Sequence, residues 1–230
     1  MMNIIDYLEE NDFIINDVDT GSATPIIRTK QIPFSDKILD FSKITGSYNY
    51  SERTGYVKVA YGSGYIKEFY NRISLAMTKL LESEQVKIKR PEEKGYYVGV
   101  ITGYSSIKDL VRVGEITINL RLDPFKYDDK PYGNTLWDTF CFETDYLEQN
   151  QYEITDSATI KVYNQGESVY PSITVTSNMN VTVDNGSGVA VSYSLNAGTT
   201  KLNNKFSNGL NIITVTGTGK LTIEFTQQYL

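Results

Sequence analysis

The feature that most constrains the fold is a break in composition near residue 150. Residues 1–150 hold 18 Lys or Arg and 23 Asp or Glu, whereas residues 151–230 hold only 4 and 5. The second stretch is rich instead in Thr, Ser, Val, Asn and Gly. A chain that loses its charges and gains β-branched residues at one point changes domain there, and the later part is all-β.

The later part reads as short strands between turns. Ile160 and Val162, Ile173 and Val175, Val181 and Val183, then Val189, Val191, Tyr193 and Leu195 alternate with polar neighbours. Asp184-Asn185-Gly186 predicts a hairpin. Ile213 and Val215 lead to Gly217-Thr218-Gly219, expected as another hairpin turn, and Leu221, Ile223 and Phe225 close the series. Regular strands without a helical period imply an antiparallel sandwich.

The earlier part mixes both periods. Phe69, Ile73, Met77 and Leu80, with Ala76 and Leu81 beside them, predict one helix over residues 67–82 that buries this stripe on a sheet. Val57, Val59 and Tyr61 alternate. Residues 85–90 and 96–101 flank Pro91-Glu92-Glu93-Lys94-Gly95, which suits a hairpin tip. Residues 115–122 are the clearest strand, with Ile116, Ile118, Leu120 and Leu122 on one face, and Asp123-Pro124 is expected to end it. Trp137, Phe140 and Phe142 indicate that the stretch over 124–157 docks and does not swing free.

Chemistry is narrowly bounded. There is no histidine and only one cysteine, Cys141. Ser-His-Asp and Cys-His catalysis, His-ligated metals, thiolate zinc and an internal disulfide are therefore excluded. Asp19-Thr20-Gly21-Ser22 has the form of an aspartic-protease loop, but that chemistry needs two carboxylates sharing a proton, and the motif occurs once. Asp17 and Asp19 lack calcium-loop spacing. Gly217-Thr218-Gly219-Lys220 lacks the Ser or Thr and the helix of a phosphate loop, and Gly62-Ser63-Gly64-Tyr65 is a turn more readily than a dinucleotide cradle. Glu92-Glu93 and Asp128-Asp129 have the side chains of a glycosidase pair, a common surface pattern. No catalytic, cofactor-binding or metal-binding residue is assigned, and no cofactor is expected.

The net charge is −6, and the nearest thing to a basic run, Lys87-Ile88-Lys89-Arg90, is followed by Glu92 and Glu93. That balance argues against gripping nucleic acid. Residues 1–13 carry four acidic and no basic side chains, unlike a secretory signal, and no apolar run has bilayer-spanning length, so a soluble protein without membrane contact is expected. Eighteen tyrosines are the unusual count. Tyr163, Tyr170, Tyr193 and Tyr229 in the β-rich part suit either protein interfaces or a sugar-stacking platform.

Several stretches carry a resemblance. Ile118-Asn119-Leu120-Arg121-Leu122-Asp123-Pro124-Phe125-Lys126-Tyr127 is similar to the close of the first domain in distal tail (Dit) proteins of siphophages infecting Gram-positive bacteria. Trp137-Asp138-Thr139-Phe140 and Phe142-Glu143-Thr144-Asp145 are similar to the family's connector. Val162-Tyr163-Asn164-Gln165-Gly166 with Tyr170-Pro171-Ser172-Ile173 resembles the start of its second domain. Gly209-Leu210-Asn211-Ile212-Ile213 with Gly217-Thr218-Gly219 resembles its last hairpin. The order of these pieces spans nearly the whole chain.

The resemblance implies a mainly β (β-rich α+β) protein. A ring-forming belt domain would occupy residues 1–128, with a split-barrel sheet, one helix and a hairpin. A docked connector over 129–156 and a galectin-like antiparallel β-sandwich over 157–230 would follow. It implies a structural virion protein, not an enzyme: a hexameric ring at the distal end of the phage tail, assembled in the host cytoplasm. Its partners would be the major tail tube protein, the tail-tip lysin-like hub protein and the receptor-binding protein, with DNA passing through the lumen. A tail-like bacteriocin would use the same part. The ring needs head-to-tail contacts that close, which edge strands and the Pro91 hairpin would supply. The rival reading is a carbohydrate-binding module for host cell-wall saccharide.

Overall fold

The computed structural model describes residues 1–43, 48–61, 66–105, 108–110, 113–133, 149–186 and 188–230. The chain is mostly β, as expected, and divides into two compact units, residues 1–126 and 127–229.

The first unit runs β1 (Met2–Asn3), α1 (Ile4–Glu10), β2 (Ile14–Asp19), β3 (Thr29–Gln31), β4 (Ile38–Asp40), β5 (Arg53–Tyr61), α2 (Ile66–Leu81), β6 (Val86–Ile88), β7 (Tyr96–Tyr104), β8 (Lys108–Leu110) and β9 (Val113–Tyr127). Its main sheet has the order β1-β6-β7-β9-β5-β2, with β8 on β9. The sheet curls as a half-barrel. Arg90, just beyond β6 at one end of this order, donates from Nη2 to the Val18 carbonyl in β2 at the other end. Helix α1 touches both β6 and β2 and so spans the same gap.

Strands β5 and β9 form the centre, paired antiparallel from Arg53↔Leu122 to Tyr61↔Gly114. Val57, Val59, Ile116, Ile118, Leu120 and Leu122 all point inward and are buried, as alternation requires. Helix α2 adds Phe69, Ile73, Ala76, Met77 and Leu80 to that core. It lies against a close approach: a Cβ at Gly114 would stand 2.4 Å from the Phe69 ring.

Three expectations change. The unit has a second helix, α1, which Asn3 caps by accepting from the Ile5 N–H at 3.4 Å and which buries Ile4, Ile5 and Leu8. At seven residues it is too short for a period to stand out. Leu81, grouped with the buried stripe, is exposed where α2 ends. Strand β9 also runs past Asp123-Pro124 to Tyr127. Pro124 lies beyond the last β5 pair, Arg53↔Leu122, so its missing N–H costs no bond in that ladder. Its carbonyl accepts from Arg53 Nε at 2.7 Å.

The second unit runs β10 (Gln151–Ile154), β11 (Ser157–Asn164), β12 (Ser172–Val175), β13 (Met179–Asp184), β14 (Val191–Leu195), β15 (Gly198–Lys201), β16 (Gly209–Thr216), β17 (Gly219–Glu224) and β18 (Gln228–Tyr229). Two antiparallel four-stranded sheets, β10-β17-β12-β15 and β11-β16-β13-β14, share one core that includes Ile173, Leu221 and Ile223 from the first and Val181, Ile213 and Val215 from the second. Tyr132 stacks on Phe225 at 4.5 Å in the same core. The Asp184-Asn185-Gly186 turn does join a hairpin, β13 to β14. Gly217-Thr218-Gly219 does not. It carries the chain from β16 in one sheet to β17 in the other, with the Gly217 N–H donating to Asp156 at 2.8 Å. Val189 is exposed ahead of β14 and takes no part in that strand.

Candidate functional site

The residues with catalytic spelling are used locally. Asp19 Oδ1 accepts from the Gly21 N–H at 2.8 Å, an Asx turn at the end of β2. Gly21 has φ 58, and a Cβ there would meet the Thr54 carbonyl at 2.3 Å, so the Asp-Thr-Gly spelling answers to backbone geometry. Tyr56 donates to Asp17 Oδ2 at 2.7 Å. That bond, with the carboxylate charge, raises the phenol above its ordinary value.

Glu93 pairs with Arg90 at 3.1 Å, and Glu92 is exposed. The Tyr229 hydroxyl lies 3.5 Å from Asp128 Oδ2. Lys220, at the end of the Gly217 turn, pairs with Glu153 at 3.4 Å across strands β17 and β10. Among the described residues no group of three or more His, Cys, Asp or Glu is placed to hold a metal, and no helix is long and apolar enough to cross a membrane. Gly62-Ser63-Gly64, Trp137, Phe140, Cys141 and Phe142 lie outside the described residues.

The four tyrosines singled out above, Tyr163, Tyr170, Tyr193 and Tyr229, divide. Tyr163 and Tyr170 are exposed, and Lys205 sits over the Tyr170 ring at 5.1 Å. Tyr193 donates to Asn203 at 2.5 Å and Tyr229 to Gln227 at 2.5 Å. Partial burial raises the Tyr193 phenol. Residues 193–200 line a cavity of about 340 Å³ with no acidic or basic side chain among them.

Among the described residues, two polar side chains of the second unit are fully buried, and each ties a loop. Asn164 accepts from the Gly166 N–H at 3.1 Å and donates to the Glu167 carbonyl at 2.9 Å. Asn211 accepts from the Ser207 N–H and donates to the Ser207 carbonyl, both at 2.9 Å. Both asparagines fall in stretches that carried the family resemblance, and their role there is structural.

The feature that sequence reasoning passed over is an arm between β2 and β5. Strands β3 and β4 form a two-stranded sheet of their own, Thr29↔Asp40 to Gln31↔Ile38. Every residue of both strands is exposed, and so are Ile26, Ile27, Phe34 and Phe41 around them. The base of the arm is fixed. Arg53, buried, donates to the Gly21 carbonyl at 2.9 Å and lies over the Tyr97 ring at 5.2 Å. Ile26 N–H donates to Asn49 at 2.7 Å, and the buried Ser42 hydroxyl accepts from the Arg28 N–H at 2.8 Å. Ser42 in turn hydrogen-bonds Asp40 through its hydroxyl and its N–H and so lowers that carboxyl below its ordinary value. A legible signal existed: Ile26, Ile27, Phe34, Ile38, Leu39 and Phe41 are interleaved with Arg28, Lys30 and Lys37. Three-residue strands are too short to establish a period.

A mostly β chain with a curled sheet and a two-sheet sandwich has a known counterpart. No protein-family model and no curated protein matches the sequence. Among solved structures, the chain is similar to the Dit (gp 19.1) protein of SPP1, described as a paradigm of the hub adsorption apparatus in phages infecting Gram-positive bacteria. The identity is 18% and the TM-score 0.64, over 96% of this chain and 95% of that one. A chain of the phage p2 baseplate in its activated conformation aligns at 8% identity with a TM-score of 0.40, over 95% of this chain and 91% of that one. The fold of the SPP1 Dit protein is thus the fold of this chain over nearly its whole length, as the resemblance implied.

Proposed function

We propose that this chain is a structural subunit of a phage tail tip and not an enzyme. Copies of it close into a hexameric ring at the distal end of the tail. The ring joins the tube to the hub and receptor-binding proteins and leaves a lumen for DNA. The observation that carries this reading is the end-to-end likeness to a hub adsorption protein, with both chains covered almost completely. Six copies would carry a formal charge of about −36, a field that repels phosphate and suits passage over retention. Negative-stain microscopy of the purified protein tests the reading: annular six-fold particles are expected, and a solitary chain at high concentration would overturn it.

One observation favours a second reading. Tyr163 and Leu210 are cross-strand partners on β11 and β16, and both are exposed, which gives the sandwich a small apolar face suited to stacking on a sugar ring. Binding of the full-length chain to a cell-wall glycan array, lost in Tyr163→Ala, would support a saccharide-binding role. Silence on such an array leaves the structural reading alone.

A further inference from the structure

The arm over residues 25–43 spends its apolar side chains on solvent. Among the described residues, six of the large exposed apolar side chains fall between Ile26 and Phe41, with Phe34 at 110% and Ile38 at 66% relative exposure. Large apolar side chains left exposed at this density along one short segment mark a contact surface. A lone two-stranded hairpin is also marginal in water, so such an arm is completed by what it docks on.

The tip sharpens the point. Ser35 N–H donates to the Ile32 carbonyl at 3.2 Å, with Pro33 second and Phe34 third in the turn, and Phe34 has φ 63. That is the pattern of a type II turn, whose third position calls for glycine. Here a bulky aromatic holds the left-handed backbone with its ring entirely in solvent. Strain retained together with an exposed aromatic points to contact and not to turn stability.

Charge indicates the occupant. Residues 25–43 carry four basic and two acidic side chains, whereas the rest of the chain carries 18 basic and 26 acidic. The arm is a basic, apolar element on an otherwise acidic protein. A ring of identical copies closes only if one surface of the chain fits a different surface of the same chain. An arm opposite in net charge to the rest of the chain meets that condition.

We propose that the arm seats on a second copy of this chain, with Phe34 and Ile38 at the centre of the contact and Arg28, Lys30 and Lys37 facing the neighbour's acidic surface. This rests on the ring reading and names its subunit contact. The test mixes isotopically light and heavy full-length protein carrying a photo-crosslinking amino acid in place of Phe34. Cross-links joining light to heavy chains are expected. Annular particles whose cross-links stay within one chain would sink the arm contact and leave the ring standing. Light–heavy cross-links in particles that are not annular would keep the arm contact and sink the ring. A chain that stays monomeric at high concentration without inter-chain links removes both.

Two variants guard the result. Phe34→Asp with Ile38→Asp is expected to abolish species larger than the monomer while leaving the melting temperature of the monomer unchanged, because both side chains are solvent-exposed. Phe34→Gly relaxes the turn yet removes the ring, so weaker assembly is expected from a better-formed hairpin. Assembly at the wild-type concentration dependence in Phe34→Gly would overturn the proposal.

Discussion

The β6–β7 hairpin and the β3–β4 hairpin belong to the same unit and are built from the same kinds of residues, yet they invest them in opposite directions. Around Pro91 the apolar residues turn inward: Val86, Ile88, Tyr97 and Val98 are buried. Several polar groups at that tip also have partners within the unit. Asn3 accepts from the Lys89 N–H at 3.3 Å, and Arg90 reaches both Val18 and Glu93. The β3–β4 hairpin leaves Ile38 and Leu39 outside and is tied down at its base. A hairpin whose side chains are already committed has little to offer a partner. The Pro91 hairpin, expected to supply ring contacts, spends Arg90 on the Val18 carbonyl within its own unit, whereas six large exposed apolar side chains cluster in sequence along the arm.

A matched pair of substitutions gives the largest expected difference. Ile88→Ala removes a fully buried side chain and is expected to cost about 2–5 kcal/mol. Ile38→Ala removes the same side chain from solvent and is expected to change stability by about 0.5 kcal/mol or less. Chemical denaturation of the two variants measures both. Equal losses would mean that the arm packs on its own unit and would break the contrast.

Next in size is Arg53→Met, which keeps an aliphatic stem beneath Tyr97 but leaves the Gly21 and Pro124 carbonyls without their donor. A loss of about 2–3 kcal/mol is expected, as for buried acceptors left unpaired. The same variant should loosen the base of the arm, visible as faster amide exchange near Gly21. Full stability in Arg53→Met would show that the other ties, the Asp19 Asx turn and the Ile26–Asn49 and Arg28–Ser42 bonds, hold that base without it.

How far these features were legible in the sequence follows from element length. Strand β9 alternates over enough residues for its inward face to be read directly, and α2 declares itself through Phe69, Ile73, Met77 and Leu80. The sandwich strands were legible for the same reason, but their assignment to sheets was not. Nothing in Gly217-Thr218-Gly219 tells a hairpin from a crossover, since both need glycine at positive φ, here 135 and 145. The arm's strands were not legible as strands, because they have three residues each and no buried face, so no period exists to find; only its mixture of apolar and basic residues showed. Arg53 carried no signal either: a buried guanidinium looks like any surface arginine until its two carbonyl acceptors are brought to it.

Arg90→Ala comes lower in the scale. Its side chain is about 30% exposed, so solvent already weakens its hold on Val18 and Glu93, and a cost of about 1 kcal/mol is expected. Assembly should persist at the wild-type protein concentration. Ring loss in Arg90→Ala without global destabilisation would return the Pro91 tip to the interface and reverse the comparison between the hairpins.

The smallest effect concerns pH. Asp40 stands in the arm with its carboxyl held below the ordinary value, first by the Ser42 hydroxyl and then by the Ser42 N–H. A carboxyl whose folded value is depressed contributes stability above its unfolded value and loses it as pH falls through the folded one. The Asp40–Ser42 contact therefore closes the base of the arm at neutral pH and is released in acid, below the usual carboxylate range. Because Ser42 also receives the Arg28 N–H, protonation of Asp40 frees the hydroxyl from one of its two partners. An NMR titration should place the Asp40 carboxyl below an ordinary aspartate, with the Arg28 amide signal moving at the same pH. Ser42→Ala should return Asp40 towards its ordinary value and uncouple the two signals. If Asp40 titrates identically in both proteins, the Asp40–Ser42 contact adds nothing to the base of the arm, and the arm's position is insensitive to acid.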